Sequence, residues 1–186
     1  MTVLELSVSL PVQGGTRRIG GHGAVVRCEK IAKRVDHYEV AVFLHEMAAG
    51  GILADDMGLG KTVQTIALLL WLKSKNKDQQ LHHLVSAPTS VVPNWLLEIE
   101  KFAPSLKAMV WHGPDRHQLS EQLSETDVLI TSYALMRRDE EFLQKAGFYY
   151  VILDEAQHIK NPMSATARAV KKLKSDRRLA LTGTPI

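Results

Sequence analysis

The sharpest chemistry in the chain lies in Gly51-Ile52-Leu53-Ala54-Asp55-Asp56-Met57-Gly58-Leu59-Gly60-Lys61-Thr62. A short apolar run enters a turn that carries two glycines, and a stretch rich in Ile, Leu and Ala follows. Glycines let backbone N–H groups close around an anion, and a helix starting just after them adds the positive end of its dipole. A lysine and then a hydroxyl at that helix start suit the β- and γ-phosphates of a nucleotide and its magnesium ion. Asp56, Met57, Gly58, Leu59, Gly60, Lys61 and Thr62 are therefore the candidate nucleotide-binding residues, with Thr62 also a candidate metal ligand. Asp55 stands where the common G-x-x-x-x-G-K-T pattern has its first glycine.

A second constellation is Tyr149-Tyr150-Val151-Ile152-Leu153-Asp154-Glu155-Ala156-Gln157. An apolar strand ending in two carboxylates sets them at its carboxyl edge, where ligands sit on open α/β sheets. Asp154 is the candidate magnesium ligand. Glu155 is the candidate base that orients and deprotonates an attacking water, since phosphoryl transfer asks the protein chiefly for positioning and charge compensation. Alone, an Asp-Glu pair after a strand reads as a helix cap with a first-turn acid; beside a phosphate loop it reads, with Lys61, as catalytic.

These residues need a scaffold, and the apolar pattern supplies one. Strands are expected at Gly51 to Ala54, His83 to Ala87, Lys107 to Trp111, Asp127 to Thr131, Tyr149 to Leu153 and Arg178 to Thr182. Helices are expected from Lys61 to Leu72 and where Trp95, Leu96, Ile99 and Phe102 recur at three- and four-residue spacing. Strand and helix in alternation give an α/β fold, a mostly parallel sheet covered on both faces. Before Gly51, Leu4, Leu6, Val8 and Leu10 alternate with polar residues as in one half-buried strand, and Gly14, Gly15, Gly20, Gly21 and Gly23 read as a flexible connector. The expected division is a poorly organised segment, 1–45, and an α/β domain, 46–186.

At 186 residues, the chain has room for one domain or one with an appendage. With 45% hydrophobic and 23% charged residues, intrinsic disorder and fibrous repeats are excluded. The longest apolar run, Ile66 to Leu72, is too short to cross a bilayer, and Met1 to Gln13 has no basic start, so the expectation is a cytoplasmic protein. Cys28 is the single cysteine, no zinc-ligand spacing exists, and any metal is expected to arrive with a ligand. A net charge of +3 is compatible with a polyanion partner. Lys73, Lys75 and Lys77, and Lys171, Lys172, Lys174, Arg177 and Arg178, read as solvated faces; Trp71, Trp95 and Trp111 as core; His82 and His83 as packing residues.

Four segments occur in a telling order: Asp55-Asp56-Met57-Gly58-Leu59-Gly60-Lys61-Thr62, Ala87-Pro88-Thr89-Ser90-Val91-Val92-Pro93-Asn94-Trp95, Asp154-Glu155-Ala156-Gln157 and Leu181-Thr182-Gly183-Thr184-Pro185. They resemble motifs I, Ia, II and III of the Swi/Snf-type helicase-related ATPases of the DEAD/DEAH-like superfamily two, over roughly Gly51 to Ile186. The resemblance implies a RecA-like lobe that binds ATP and Mg2+, and a double-stranded DNA partner bound without sequence preference. It implies DNA-backbone contacts at Pro88, Thr89 and Asn94 and at a turn containing Thr131 and Ser132, for which helix capping is the alternative role. It also implies that Gln157, Thr182, Gly183 and Thr184 couple nucleotide state to DNA and to a second RecA-like lobe. Val42-Phe43-Leu44-His45-Glu46 resembles the end of the family's adenine-recognising segment. The second lobe, with its arginine finger, is expected beyond these residues, so the chain alone is expected to hydrolyse ATP negligibly. The family implies a nucleoid-associated protein in a bacterium and a nuclear one in a eukaryote. Competing expectations are a non-catalytic nucleotide-binding fragment or interaction module, and a phosphate-loop kinase or GTPase-like switch; the N-K-x-D base motif of the switch does not occur.

Overall fold

The computed structural model describes residues 24–27, 51–54 and 60–183, the first of these segments by its backbone alone. The strands are β1 (Ala24–Arg27), β2 (Gly51–Ala54), β3 (His83–Ala87), β4 (Ala108–Trp111), β5 (Val128–Ser132), β6 (Phe148–Leu153) and β7 (Ser175–Thr182). They form one seven-stranded sheet in the order β1-β2-β7-β6-β3-β5-β4, with every pairing parallel. Helices α1 (Lys61–Lys75), α2 (Val92–Phe102), α3 (Tyr133–Arg138), α4 (Glu140–Ala146) and α5 (Ala165–Lys172) lie between the strands, joined by 3-10 turns at Arg116–Glu125 and Ala156–Ile159.

Both faces of the sheet are buried, and neighbouring residues on a strand go to opposite cores. Val85 and Ala87 of β3 and Ile152 of β6 pack with Ile66, Leu69, Leu72, Trp95 and Ile99 of α1 and α2. Leu84, Val151 and Leu153 pack on the other side with Met136, Leu143, Ala169 and Val170 of α3, α4 and α5. This two-sided burial explains why the central strands are apolar without alternation. Each Leu or Ile removed from water contributes roughly 1.5 to 3 kcal/mol.

The six expected strands are present, displaced at their ends by at most a few residues. β7 starts earlier than expected because its polar first turn, Ser175 to Arg177, still pairs with Phe148 and Tyr150 of β6. β1 is an addition. Ala-Val-Val-Arg is too short to show a period, yet it extends the sheet by pairing in register with β2, Ala24 opposite Gly51 and Arg27 opposite Ala54. The strand expected at Leu4 to Leu10, the glycine connector and Val42 to Glu46 lie outside the described residues.

The chain order and the sheet order diverge after β2. The chain leaves the edge pair, builds β3, β4 and β5, and then returns to insert β6 and β7 beside β2. That return places the carboxyl ends of β2, β7 and β6 side by side.

Candidate functional site

Register fixes how close the three strand ends lie. Ala54, the last residue of β2, is opposite Thr182 of β7, and Leu153 of β6 is opposite Ala180. Asp154 follows Leu153 directly, so the start of motif II, the start of motif III and the entrance to the phosphate loop share one edge. Asp55 to Leu59 lie outside the described residues, as do Thr184 to Ile186. Gly60 closes the loop as the N-cap of α1 with φ +79, a left-handed conformation that glycine adopts without strain. Lys61 and Thr62 form the first turn of α1, both half-buried. The Thr65 hydroxyl donates to the Lys61 carbonyl at 2.8 Å, which pins that turn.

Asp154 is 7% exposed and held at four points. Its N–H donates to the Ser86 carbonyl of β3 at 2.9 Å. Its Oδ2 accepts the indole Nε1–H of Trp95 at 2.7 Å, and its Oδ1 accepts the Glu155 N–H at 2.9 Å. Its carbonyl accepts the Tyr133 hydroxyl at 2.7 Å. Burial raises the Asp154 carboxyl above its usual range, against the Trp95 and Glu155 donors, with the Glu155 charge adding to the rise and the Lys61 charge opposing it. Each oxygen spends one lone pair on its donor and keeps another, and such hard oxygen donors fit Mg2+, which uses one or two protein oxygens along with phosphates and waters.

Glu155 has φ 49 and ψ 55, the left-handed region, and is the one non-glycine residue there among the described residues. A side chain in that region costs of order 1 kcal/mol and such strain concentrates at functional sites. The turn brings Glu155 Oε2 to Gln157, whose Nε2 donates to it at 2.6 Å. Gln157 Oε1 in turn accepts from the Thr182 hydroxyl at 3.3 Å. An unbroken hydrogen-bonded line therefore runs from the end of β7 to the candidate base, with Gln157 serving as donor and acceptor at once.

The candidate DNA contacts divide. Thr89 is exposed and Pro88 half-buried in the turn between β3 and α2, and Asn94 is exposed in the first turn of α2. Thr131 and Ser132 are both buried with their hydroxyls bonded within the fold, which favours the alternative of a capping role over a direct contact. Thr131 donates to the Trp111 carbonyl at 3.1 Å, and Ser132 caps α3 by accepting the Leu135 N–H at 3.3 Å. A small, locally bonded hydroxyl at a strand end is a cap first.

Two roles were invisible in the sequence. Trp95 is fully buried, as core, but its indole is also the partner of Asp154. Glu98, one helical turn further along α2, is half-buried with Oε2 lacking a hydrogen bond, and burial together with the Asp154 charge raises its carboxyl. A strand-end acid followed by a helix offers no spacing from which either pairing could be read.

A family profile described as the SNF2-related domain matches residues 36–186. The chain belongs to the SNF2-related domain family. An uncharacterized ATP-dependent helicase of Mycoplasma pneumoniae is 48% identical over 145 residues, covering 77% of this chain and 14% of that protein. Helicase SWR1 of Eremothecium gossypii is 41% identical over 148 residues, covering 77% of this chain and 10% of its own length. Among solved structures, the Sulfolobus solfataricus SWI2/SNF2 ATPase core in complex with double-stranded DNA matches with a TM-score of 0.73 and 44% identity, over 80% of this chain and 30% of that one. The fold is thus the RecA-like lobe of a SNF2 ATPase core. The chain spans a small part of these relatives' length. Among its described residues no helix is long and apolar enough to cross a membrane.

Proposed function

We propose that this SNF2-related domain binds Mg-ATP at the shared edge of β2, β7 and β6 and works as the nucleotide-binding lobe of a DNA-dependent ATPase and translocase. The observation that carries the reading is the register of β2, β7 and β6, which sets the entrance to the phosphate loop and Asp154 at one carboxyl edge with a single strand between them. Lys61 and the phosphate-loop backbone from Asp56 onward hold the phosphates, and Thr62 and Asp154 hold the cation. Magnesium, when bound, offsets phosphate charge and orients the transferred group. Glu155 orients the attacking water and accepts its proton, and the Thr182-Gln157 line holds Glu155 in place, with Gly183 and Thr184 continuing that element. Residues 46–186, with β1 paired at the edge of their sheet, form the unit that does this.

Duplex DNA lies along the same edge, its backbone against Pro88, Thr89 and Asn94. Amides and hydroxyls bind phosphate oxygens without reading sequence, so binding shows no sequence preference; affinity falls by about 0.9 log units per tenfold rise in salt only for each phosphate that a lysine or arginine neutralises. Lys61 is a cation that bears on Asp154, and Arg116 and Arg178 are bonded elsewhere, to Asp139 and to the Leu173 carbonyl. An arginine finger contributes about 10³ to 10⁵ in rate, so these 186 residues alone turn ATP over slowly and await a second lobe. The reading is tested by thermal unfolding with and without Mg-ATP. Wild type is stabilised and Lys61→Ala is not; a folded wild type that ignores millimolar Mg-ATP sinks the reading.

A further inference from the structure

We propose that Trp95 and Tyr133 are positioning residues for the metal carboxylate of Asp154, and that Trp95 couples duplex occupancy to the grip of Asp154 on the nucleotide's metal ion. The inference rests on the ATP-site reading above and adds to it the route by which DNA reaches that site.

Asp154 is tied to the rest of the fold through β3 and the first turn of α2, which flank the candidate DNA segment, and through Tyr133 at the buried end of β5. Trp95 follows the exposed Asn94 directly and donates to Asp154 Oδ2 at 2.7 Å. Tyr133 follows Ser132 and donates to the Asp154 carbonyl at 2.7 Å. Ser86, whose carbonyl takes the Asp154 N–H at 2.9 Å, stands two residues before Pro88. The step from surface to metal carboxylate is therefore a single residue at Asn94, from an exposed amide to a fully buried indole.

The contacts are short and the donors rigid. Trp95 is enclosed among Ile66, Leu69, Ile99 and Ile152 in the core, and its indole has one N–H to give. Tyr133 is 8% exposed and stacks on His158 at 5.7 Å. The first turn of α2 contains both Asn94 and Trp95, so a backbone phosphate seated on Thr89 and Asn94 restrains the helix turn that aims the indole. A displacement of about 1 Å would stretch the Trp95 bond past hydrogen-bonding distance. The indole leaves one Oδ2 lone pair for a cation and fixes the direction in which it points, the role that outer-shell donors play around metal carboxylates. Tyr133 does the same for the main chain beneath it, at the head of the helix capped by Ser132.

Coupling between two ligands is reciprocal, so DNA must tighten metal-nucleotide binding by the factor by which metal-nucleotide tightens DNA. The experiment measures Mn2+ binding by electron paramagnetic resonance, with a non-hydrolysable ATP analogue, with and without a short duplex of mixed sequence. Wild type, Trp95→Phe, Tyr133→Phe, Asn94→Ala and Lys61→Ala are compared, along with nucleotide affinity in the absence of metal. The expected wild-type result is Mn2+ bound about fivefold or more tightly with duplex present. Trp95→Phe keeps metal-free nucleotide affinity, loses about tenfold in Mn2+ affinity and loses the duplex effect. A merely structural role for Trp95 would not split metal from nucleotide in this way. Tyr133→Phe removes one hydroxyl from a ring that stays packed, so it loses Mn2+ affinity and keeps the duplex effect; Asn94→Ala at saturating duplex loses the duplex effect and carries the test if Trp95→Phe does not fold.

Wild-type Mn2+ affinity that ignores duplex overturns the proposal, as does a folded Trp95→Phe protein that keeps the wild-type Mn2+ affinity and duplex effect, or a Tyr133→Phe protein that keeps the wild-type Mn2+ affinity. The ATP-site reading fails separately, when wild type binds no Mn-nucleotide or Lys61→Ala binds it equally well.

Discussion

Acidification should unfold this domain through His83. The side chain is 2% exposed at the start of β3, packed against Tyr149 and Tyr150 at ring distances of 6.0 and 6.1 Å. Its Nδ1 has no hydrogen-bond partner. Burial lowers its pKa from 6.5 to about 4, although the Asp127 charge pulls the other way. The unfolded chain therefore binds more protons than the folded one between those values, and stability present at neutral pH is lost as pH falls through that window. The full shift is worth about 3 kcal/mol, of which about 2 kcal/mol is lost between roughly pH 7 and pH 5. Urea unfolding at the two pH values, for wild type and for His83→Leu, measures it. The variant should flatten the pH dependence by that amount whatever it does to absolute stability. A wild-type slope that His83→Leu leaves unchanged would refute the reasoning.

Other substitutions separate the roles assigned above. Asp139 accepts both Arg116 Nη2 and Trp111 Nε1, at 2.7 and 2.8 Å, and Asp139→Ala should cost about 3 to 5 kcal/mol in urea unfolding because it strands the buried Arg116 charge. Ser132→Ala should cost about 1 kcal/mol through the lost cap and leave duplex affinity unchanged by fluorescence anisotropy, whereas Thr89→Ala and Asn94→Ala should weaken duplex binding with unfolding midpoints intact. Glu155→Gly should stabilise the fold by about 1 kcal/mol, since it relieves the left-handed strain, and should abolish single-turnover hydrolysis.

The sheet was legible because its central strands are buried on both faces and so announce themselves as unbroken apolar runs, as in Val151 to Leu153. The phosphate-loop helix was legible because Gly60 must precede it. β1 was not, since four residues show no period and its partner β2 is distant in sequence. The site's chemical groups at Lys61, Asp154 and Glu155 could be named from strand-end position alone. What holds them could not: Trp95 and Asp154 meet only because α2 and β6 pack on one another, and an apolar ring with one N–H looks the same in sequence whether or not it has a carboxylate to serve. Thr131 and Ser132 were open in the sequence for a related reason: hydroxyls at a strand end fit a DNA contact and a cap equally well, and burial favours the cap.

The central claim is that nucleotide and metal sit at the carboxyl edge of β2, β7 and β6. Paramagnetic broadening by Mn-ATP in the amide NMR spectrum of the chain locates them directly. The account predicts selective loss of the Gly60, Lys61, Asp154, Glu155 and Thr182 signals, with His83, Asp127 and Lys174 at the opposite edge left sharp. Broadening centred on that opposite edge, or spread evenly over the domain, would contradict it.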